Sequence, residues 1–232
     1  MHKTRSQALD FMASIDRVTE GDVRIACSYT LIQDLRERGE SMGIRIGAQN
    51  VSQYYEGAYT GEVSMTQLKD VGAEFVLLGH SERRHQFHET VDVVTAKIER
   101  AVVESMPFVL CIGETQDERR QRLEESVWEQ QLTSLESLTL DQLEGVMIAY
   151  EPVWAIGTGE RAQLHAIESA HRSIRGMIKT MFAGDVRIPI LYGGSVSEEN
   201  CDELLSSEEI DGVLVGSKSL DPGVFGSIVT LL

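Results

Sequence analysis

The chain has 232 residues, 42% hydrophobic and 25% charged, and a formal net charge of −16. That size and balance fit one large globular unit with a substantial core. They exclude the basic footprint that a nucleic-acid partner requires, and no run of about 18 apolar residues offers a membrane span.

The opening residues MHKTRSQALDF have no apolar core, so no secretory leader is expected. Cys27, Cys111 and Cys201 are odd in number, far apart and free of any Cys-x-x-Cys pair, which fits a reducing cytoplasm better than a disulfide framework or a zinc ribbon. Ala8, Leu9, Phe11, Met12 and Ile15 fall at helical spacing, so a helix is expected within Lys3–Val18, with Thr4 or Ser6 as its cap. Val23–Cys27 reads as a strand, and Thr30–Arg38 as a short polar helix ending near Gly39. Ile44–Ala48 is the next strand, running into Gln49 and Asn50, and a loop rich in Gly, Tyr and Ser follows over Val51–Ser64. Thr66–Val71 predicts a short helix, Phe75–Leu78 a strand ending at Gly79-His80, and Thr90–Glu104 an amphipathic helix. Phe108–Ile112 is a strand closing at Gly113-Glu114, and Gln116–Leu135 a long charged helix. Val146–Tyr150, Ile188–Tyr192 and Val213–Val215 are the remaining strands; Ala162–Met181, Glu199–Leu205 and Gly223–Leu232 are the remaining helices.

Seven strands and eight helices thus alternate, and the first helix has no strand before it. Short apolar strands each followed by a helix predict a parallel sheet covered on both faces. Gln49, Asn50, His80, Glu114, Glu151, Gly193–Ser195 and Gly216 all fall at the C-terminal ends of predicted strands. That is the active end of a β/α barrel. An open doubly wound sheet places its site at the same ends and stays open as an alternative, disfavoured because no early G-x-G-x-x-G follows a strand.

The most informative stretch is Ala149–Glu160, AYEPVWAIGTGE. An apolar strand delivers Glu151, Pro152 stops the ladder because it has no N–H, and Trp154 leads to Gly157-Thr158-Gly159. This is the pattern of a catalytic carboxylate under a lid, although a surface acid before an ordinary turn reads the same way. Closure that excluded water would strengthen Glu151 as a base. His80 precedes Ser81-Glu82-Arg83, a helix-initiating turn whose N–H groups disfavour the imidazolium. A neutral imidazole can donate to a carbonyl oxygen; a structural histidine is the competing reading. His80, His85 and His88 match no common zinc spacing, and His85 and His88 fit solvated helix positions. The turns Gly157-Thr158-Gly159, Gly193-Gly194-Ser195 and Gly216-Ser217 each sit between a strand and a helix, where exposed N–H groups suit a phosphate dianion.

The segments GAQNV (47–51), GAYTGEVS (57–64), LLGHSERR (77–84), LCIGET (110–115), AYEPVWAIGTG (149–159), YGGSV (192–196) and GVLVG (212–216) resemble the triosephosphate isomerase family in order and spacing. The resemblance spans essentially the whole chain. It implies a single (β/α)8 barrel domain over 1–232 and interconversion of dihydroxyacetone phosphate and D-glyceraldehyde 3-phosphate in glycolysis and gluconeogenesis. It implies neither metal nor organic cofactor. Glu151 would move the proton between adjacent carbons, and His80 would polarise the carbonyl and shuttle a proton between oxygens. Glu82 and Cys111 match supporting positions. Gly157, Ser195, Gly216 and Ser217 would bind phosphate through backbone N–H groups. Val51–Ser64, with Thr60 near its tip, resembles a loop that inserts into a partner subunit, which implies a homodimer.

Three departures qualify the resemblance. The family begins with a strand ending in Asn-x-Lys-Met, and Met1 falls at that Met. The first strand, its Asn and its catalytic Lys are therefore expected to be missing from the barrel, with Lys3 a poor substitute. The expected results are unpaired strand edges and a rate lowered by several powers of ten. Second, Ser217 stands where the family has Gly, and a positive φ there would cost about 1 kcal/mol. Third, Lys218 replaces a small residue and is expected to face solvent. An inactive barrel that binds a phosphorylated ligand or a protein partner is the alternative to an isomerase.

Overall fold

Seven short apolar runs form the strands in a computed structural model that describes residues 1–156, 161–184 and 186–232. They are β1 (Val23–Cys27), β2 (Ile44–Ala48), β3 (Val76–Leu78), β4 (Phe108–Ile112), β5 (Val146–Tyr150), β6 (Ile190–Tyr192) and β7 (Gly212–Val213). All pair in parallel, in chain order. Burial on both faces explains the unbroken apolar runs of β3 and β4, which are buried at every position, whereas β1 and β2 each carry an arginine. The β4–β5 register, Phe108 opposite Val146 through Ile112 opposite Tyr150, brings Gly113 level with Glu151.

The helices are α1 (Arg5–Ala13), α2 (Ile32–Met42), α3 (Met65–Asp70), α4 (Ser81–Gln86), α5 (Val91–Val103), α6 (Gln116–Arg120), α7 (Glu124–Leu132), α8 (Leu164–Met181), α9 (Cys201–Leu205) and α10 (Pro222–Val229). The described residues thus hold ten α-helices, not the expected eight. One extra is α4, immediately after His80. The other arises because the expected Gln116–Leu135 helix breaks. A Thr115–Glu118 capping box starts α6, and Arg122 then takes a left-handed φ of 57° before α7 begins. The expected helix within Lys3–Val18 stops at Ala13. Phe75, Ile188 and Pro189 lie just before their strands rather than within them. None of the described helices is long and apolar enough to cross a membrane.

Alternate residues along each strand feed two cores. Val76, Leu78, Phe108, Leu110, Ile112, Ile148 and Tyr150 pack outward against the helices. Phe75, Leu77, Val109, Cys111 and Ala149 form an inner cluster with Ala26, Met147, Leu191 and Leu214. Contact among side chains from β1 to β7 on that second face requires the sheet to curl around them. Each fully buried Leu or Phe contributes about 1.5–3 kcal/mol of transfer free energy.

The curl is closed by helices rather than by strands. β1 and β7 end the strand order and do not pair with each other among the described residues. Across that seam Phe11 of α1 packs edge-on against Phe225 of α10, with centroids 5.5 Å apart. Lys3 Nζ donates to Leu220 O at 2.7 Å. The half-buried members of the inner cluster include Ala26 on β1 and Leu214 just past β7, the two edges of the seam.

Candidate active site

β5 delivers Glu151 into a site built from neighbouring strand ends. Its backbone N–H donates to Ile112 O at 2.7 Å, and the residue is 2% exposed. Two glycines make room for it. A Cβ at Gly113 would lie 1.8 Å from Glu151 O, and one at Gly193 would lie 2.9 Å from Glu151 Cγ.

β3 delivers His80, which caps α4. Its Nδ1 accepts from Glu82 N–H at 3.3 Å, and its Nε2 lies 3.0 Å from Glu151 Oε1. Ser81 N–H donates to Glu151 Oε2 at 2.8 Å. With Nδ1 accepting, the proton of a neutral ring belongs on Nε2, aimed at Glu151. Burial lowers the His80 pKa, but the hydrogen bond and charge of Glu151 raise it further, leaving it above its ordinary 6.5. The helix-initiating turn is expected to disfavour the imidazolium; in this pairing the Glu151 carboxylate holds His80 above its ordinary value instead.

The Glu82 carboxylate is largely exposed and lies 4.0 Å from His80 Nδ1, so its backbone N–H makes the closer contact. Cys111 is fully buried, and its thiol is raised well above its ordinary pKa by burial and then by Glu151. His85 and His88 are exposed, and no metal-holding group of three His, Cys, Asp or Glu occurs among the described residues.

Glu114 is legible in the sequence only as an acid at a strand end. It is 0% exposed, yet its carboxylate collects four donors. Oε1 accepts from Tyr150 Oη at 3.1 Å, Trp154 Nε1 at 2.8 Å and Arg119 at 3.2 Å, while Oε2 accepts from Trp128 Nε1 at 2.8 Å. Its carbonyl also accepts from Val153 N–H at 3.0 Å. Buried charge is tolerable only with such partners. Together these bonds pin the segment that begins at Pro152. Arg84 is missed by sequence reasoning; its Nε donates to Gly79 O at 2.7 Å and its terminal nitrogen to Cys111 O at 3.0 Å. The doubled arginine of GHSERR was the available signal.

The glycine turns are placed unevenly. Gly157, with Thr158 and Gly159, lies outside the described residues. Ser195 and Gly216 each follow their strand by three residues, on neighbours paired as Tyr192 with Val213. The Ser195 N–H faces the Tyr192 hydroxyl, whose pKa burial pushes up to about 12. Gly194 has no room for a side chain, since a Cβ would sit 2.2 Å from Tyr192 Oη. Gly216 is exposed, meets nothing within 4 Å of a built Cβ, and opens a 3-10 turn, Ser217–Leu220, without a side-chain cap. Ser217 is absent from the residues with positive φ, so the strain expected of a positive φ there does not arise. Lys218 is exposed; Glu199 is held below its ordinary pKa chiefly by Arg161, and to a smaller extent by Lys218. Lys3 is engaged at the seam by Leu220 O and the Phe11 ring, 4.7 Å from its centroid.

Comparison with known proteins gives one consistent match. The family model described as triosephosphate isomerase matches residues 1–232. A triosephosphate isomerase of Alkaliphilus oremlandii is 37% identical over 235 residues, covering 99% of this chain and 95% of that protein. Those of Thermodesulfovibrio yellowstonii and Lawsonia intracellularis are 39% and 40% identical, each covering 99% of this chain and 95% and 94% of their own lengths.

Proposed function

The chain belongs to the triosephosphate isomerase family, and from that membership we propose how its own residues carry the isomerase reaction, the interconversion of dihydroxyacetone phosphate and D-glyceraldehyde 3-phosphate. Glu151 removes a proton from one carbon of the triose and returns it to the adjacent carbon. His80 Nε2–H polarises the carbonyl oxygen and moves a proton between the two oxygens. The observation that carries this reading is the 3.0 Å contact between Glu151 Oε1 and His80 Nε2. A substrate oxygen entering between them takes the carboxylate's place at Nε2. The hydrogen bond to Glu151, the first of the causes that raise His80, is then lost, while burial and the Glu82 N–H remain and favour the neutral ring that donates, against the smaller pull of the Glu82 charge. The reaction is internally redox-neutral and needs no step through a metal or cofactor.

The phosphate is assigned to the backbone N–H groups of Ser195, Gly216 and Ser217; Gly157, which the family resemblance adds to them, lies outside the described residues. Support comes from the adjacency of β6 and β7 and from the uncapped turn at Ser217. Glu82 supports His80 through its N–H. The sheet is read as a (β/α)8 barrel, one domain over 1–232, with one strand position open between β7 and β1. The linear strand order and the helix contacts across the seam support that reading. The exposed Tyr54, Tyr55 and Tyr59 of the Val51–Ser64 loop support a homodimer. The free thiols of Cys27, Cys111 and Cys201 fit a cytoplasmic location.

The test is a coupled isomerase assay of the purified chain. Glu151→Gln and His80→Gln should each lower kcat by about 10²–10⁴. Parental turnover in both variants would remove the assignment. The turnover of the parent also decides whether the chain is impaired.

A further inference from the structure

The β4–β5 register stops at Ile112 opposite Tyr150, and Gly113 lies one residue beyond it. Both backbone groups of Gly113 go to a single side chain. Its N–H donates to Gln131 Oε1 at 2.7 Å, and Gln131 Nε2 donates to Gly113 O at 3.1 Å. Gln131 is buried on α7. A primary amide presents an acceptor and a donor in one plane, so it can close such a pair; an ionised carboxylate only accepts. Trp128, one helical turn earlier on α7, holds the next residue by donating to Glu114 Oε2 at 2.8 Å.

Gly113 in turn bears on Glu151. The carbonyl before it, Ile112 O, accepts the Glu151 N–H at 2.7 Å. The missing side chain of Gly113 leaves so little space that a Cβ would lie 1.8 Å from Glu151 O. From β6, a Cβ at Gly193 would lie 2.9 Å from Glu151 Cγ. Glu151 is thus seated between two glycine backbones, and from that seat its carboxylate accepts from Ser81 N–H at 2.8 Å and meets His80 Nε2 at 3.0 Å. Of the two glycines, Gly113 is the one anchored by a side chain from the helix layer.

We propose that Gln131 is a positioning residue for the proton transfer: its amide, bonded to both backbone groups of Gly113, fixes the surface against which Glu151 rests and so sets the carboxylate relative to His80. The proposal rests on the isomerase reading above. Gln131 touches neither Glu151 nor His80 in any bond described here, and acts through the Gly113 peptide. Without the amide, the Gly113 N–H and C=O would be buried and unpaired, and the peptide would shift to recover partners.

The experiment compares the parent, Gln131→Met and Leu132→Val. Met is close to Gln in length and removes both bonds. Leu132 is fully buried on the same helix, outside the site, so its variant controls for lost stability alone. Two quantities are read: the steady-state constants, and the amide resonance of Ser81 in a 1H–15N spectrum, assigned with Glu151→Gln. Ser81 N–H reports the carboxylate directly because it donates to it. Gln131→Met should lower kcat by about 10–10², the scale for a reacting group displaced by up to about 1 Å, with KM within about twofold. Its Ser81 amide proton should move upfield as the bond to Glu151 lengthens. Leu132→Val should lose thermal stability and keep both parental values. A parental kcat or an unmoved Ser81 resonance in Gln131→Met overturns the proposal, whatever its Tm. If Gln131→Met does not fold, Gln131→Glu takes its place: it keeps the length and the acceptor but, when ionised, loses the donor. A lowered kcat with a moved Ser81 resonance then supports the proposal, and either one unchanged overturns it. A parent without turnover defeats the isomerase reading, and the Ser81 resonance still decides whether Gln131 sets the carboxylate.

Discussion

Trp154, the second residue after Pro152, donates its indole N–H to Glu114 Oε1 at 2.8 Å, and the Arg119 guanidinium covers its ring 4.4 Å from the centroid. The segment that follows Pro152 is therefore tied to the residues just past β4 rather than to its own strand. Glu114→Ala would leave Trp128 and Tyr150 without their buried acceptor and Arg119 without its carboxylate. Urea unfolding should show a loss of about 3–5 kcal/mol, the scale for breaking a buried charged contact. Glu114→Gln keeps the shape and should cost less. An Ala variant as stable as the parent would contradict this account.

Gly113→Ala should be among the most damaging small changes at the site. Its Cβ would meet the Glu151 carbonyl oxygen at 1.8 Å, and backbone cannot step aside as a flexible side chain can. Either β4 or β5 must shift, carrying Glu151 with it. A displacement near 1 Å at a reacting group costs roughly 10² in kcat/KM, and overpacking costs about 1–3 kcal/mol in stability. Steady-state kinetics and thermal melts measure the two effects separately.

His171 gives the chain an acid-sensitive core. It is fully buried on α8, its Nδ1 meets Glu209 O at 3.1 Å, and its ring packs edge-on against Tyr150 with centroids 5.9 Å apart. Its pKa is lowered to about 4, chiefly by burial, with the Glu209 carbonyl opposing and Arg175 adding a smaller lowering. The stability this group contributes is present above its unfolded pKa near 6.5 and is lost as pH falls toward 4, because the unfolded chain takes up the proton first. The loss reaches about 3 kcal/mol at the low end of that window. Urea midpoints from pH 7 to pH 4 should fall less steeply in His171→Phe than in the parent; parallel curves would exclude His171 as the cause.

Tyr54 and Tyr59 stack with centroids 3.7 Å apart and planes 2° from parallel, while the Arg100 guanidinium lies 3.8 Å from the Tyr55 ring centre. These contacts shape the exposed loop assigned to the dimer. Replacing both stacked tyrosines by Ser should weaken self-association by at least about tenfold, since aromatic anchors dominate such interfaces. Sedimentation over a dilution series reads the change, and unaltered association would move the interface elsewhere.

Much of this architecture could be read from residue order alone, and the limits have physical causes. β4 and β5 begin and end where their apolar runs do, because strands covered on both faces admit few polar residues, and β1 and β2 keep their expected bounds although Arg24 and Arg45 interrupt them. β6 starts two residues late because Pro189 cannot donate, though its carbonyl still accepts from Ile148. The break between α6 and α7 was invisible because Arg122, not Gly, adopts the left-handed conformation. Glu151 and His80 were legible as acid and imidazole at strand ends; their 3.0 Å separation depends on how β3 and β5 are placed around the curl. The four donors to Glu114 come from residues up to 40 positions away, a convergence no local pattern encodes.

Among the described residues the seam between β1 and β7 is bridged by side chains and by the Lys3–Leu220 bond, without a ladder of backbone amides. Such a closure can breathe without breaking the ring elsewhere. Native-state hydrogen exchange should therefore be graded around the circumference, fastest in β7 and β1 and slowest in β4, which lies at the middle of the strand order and is buried throughout.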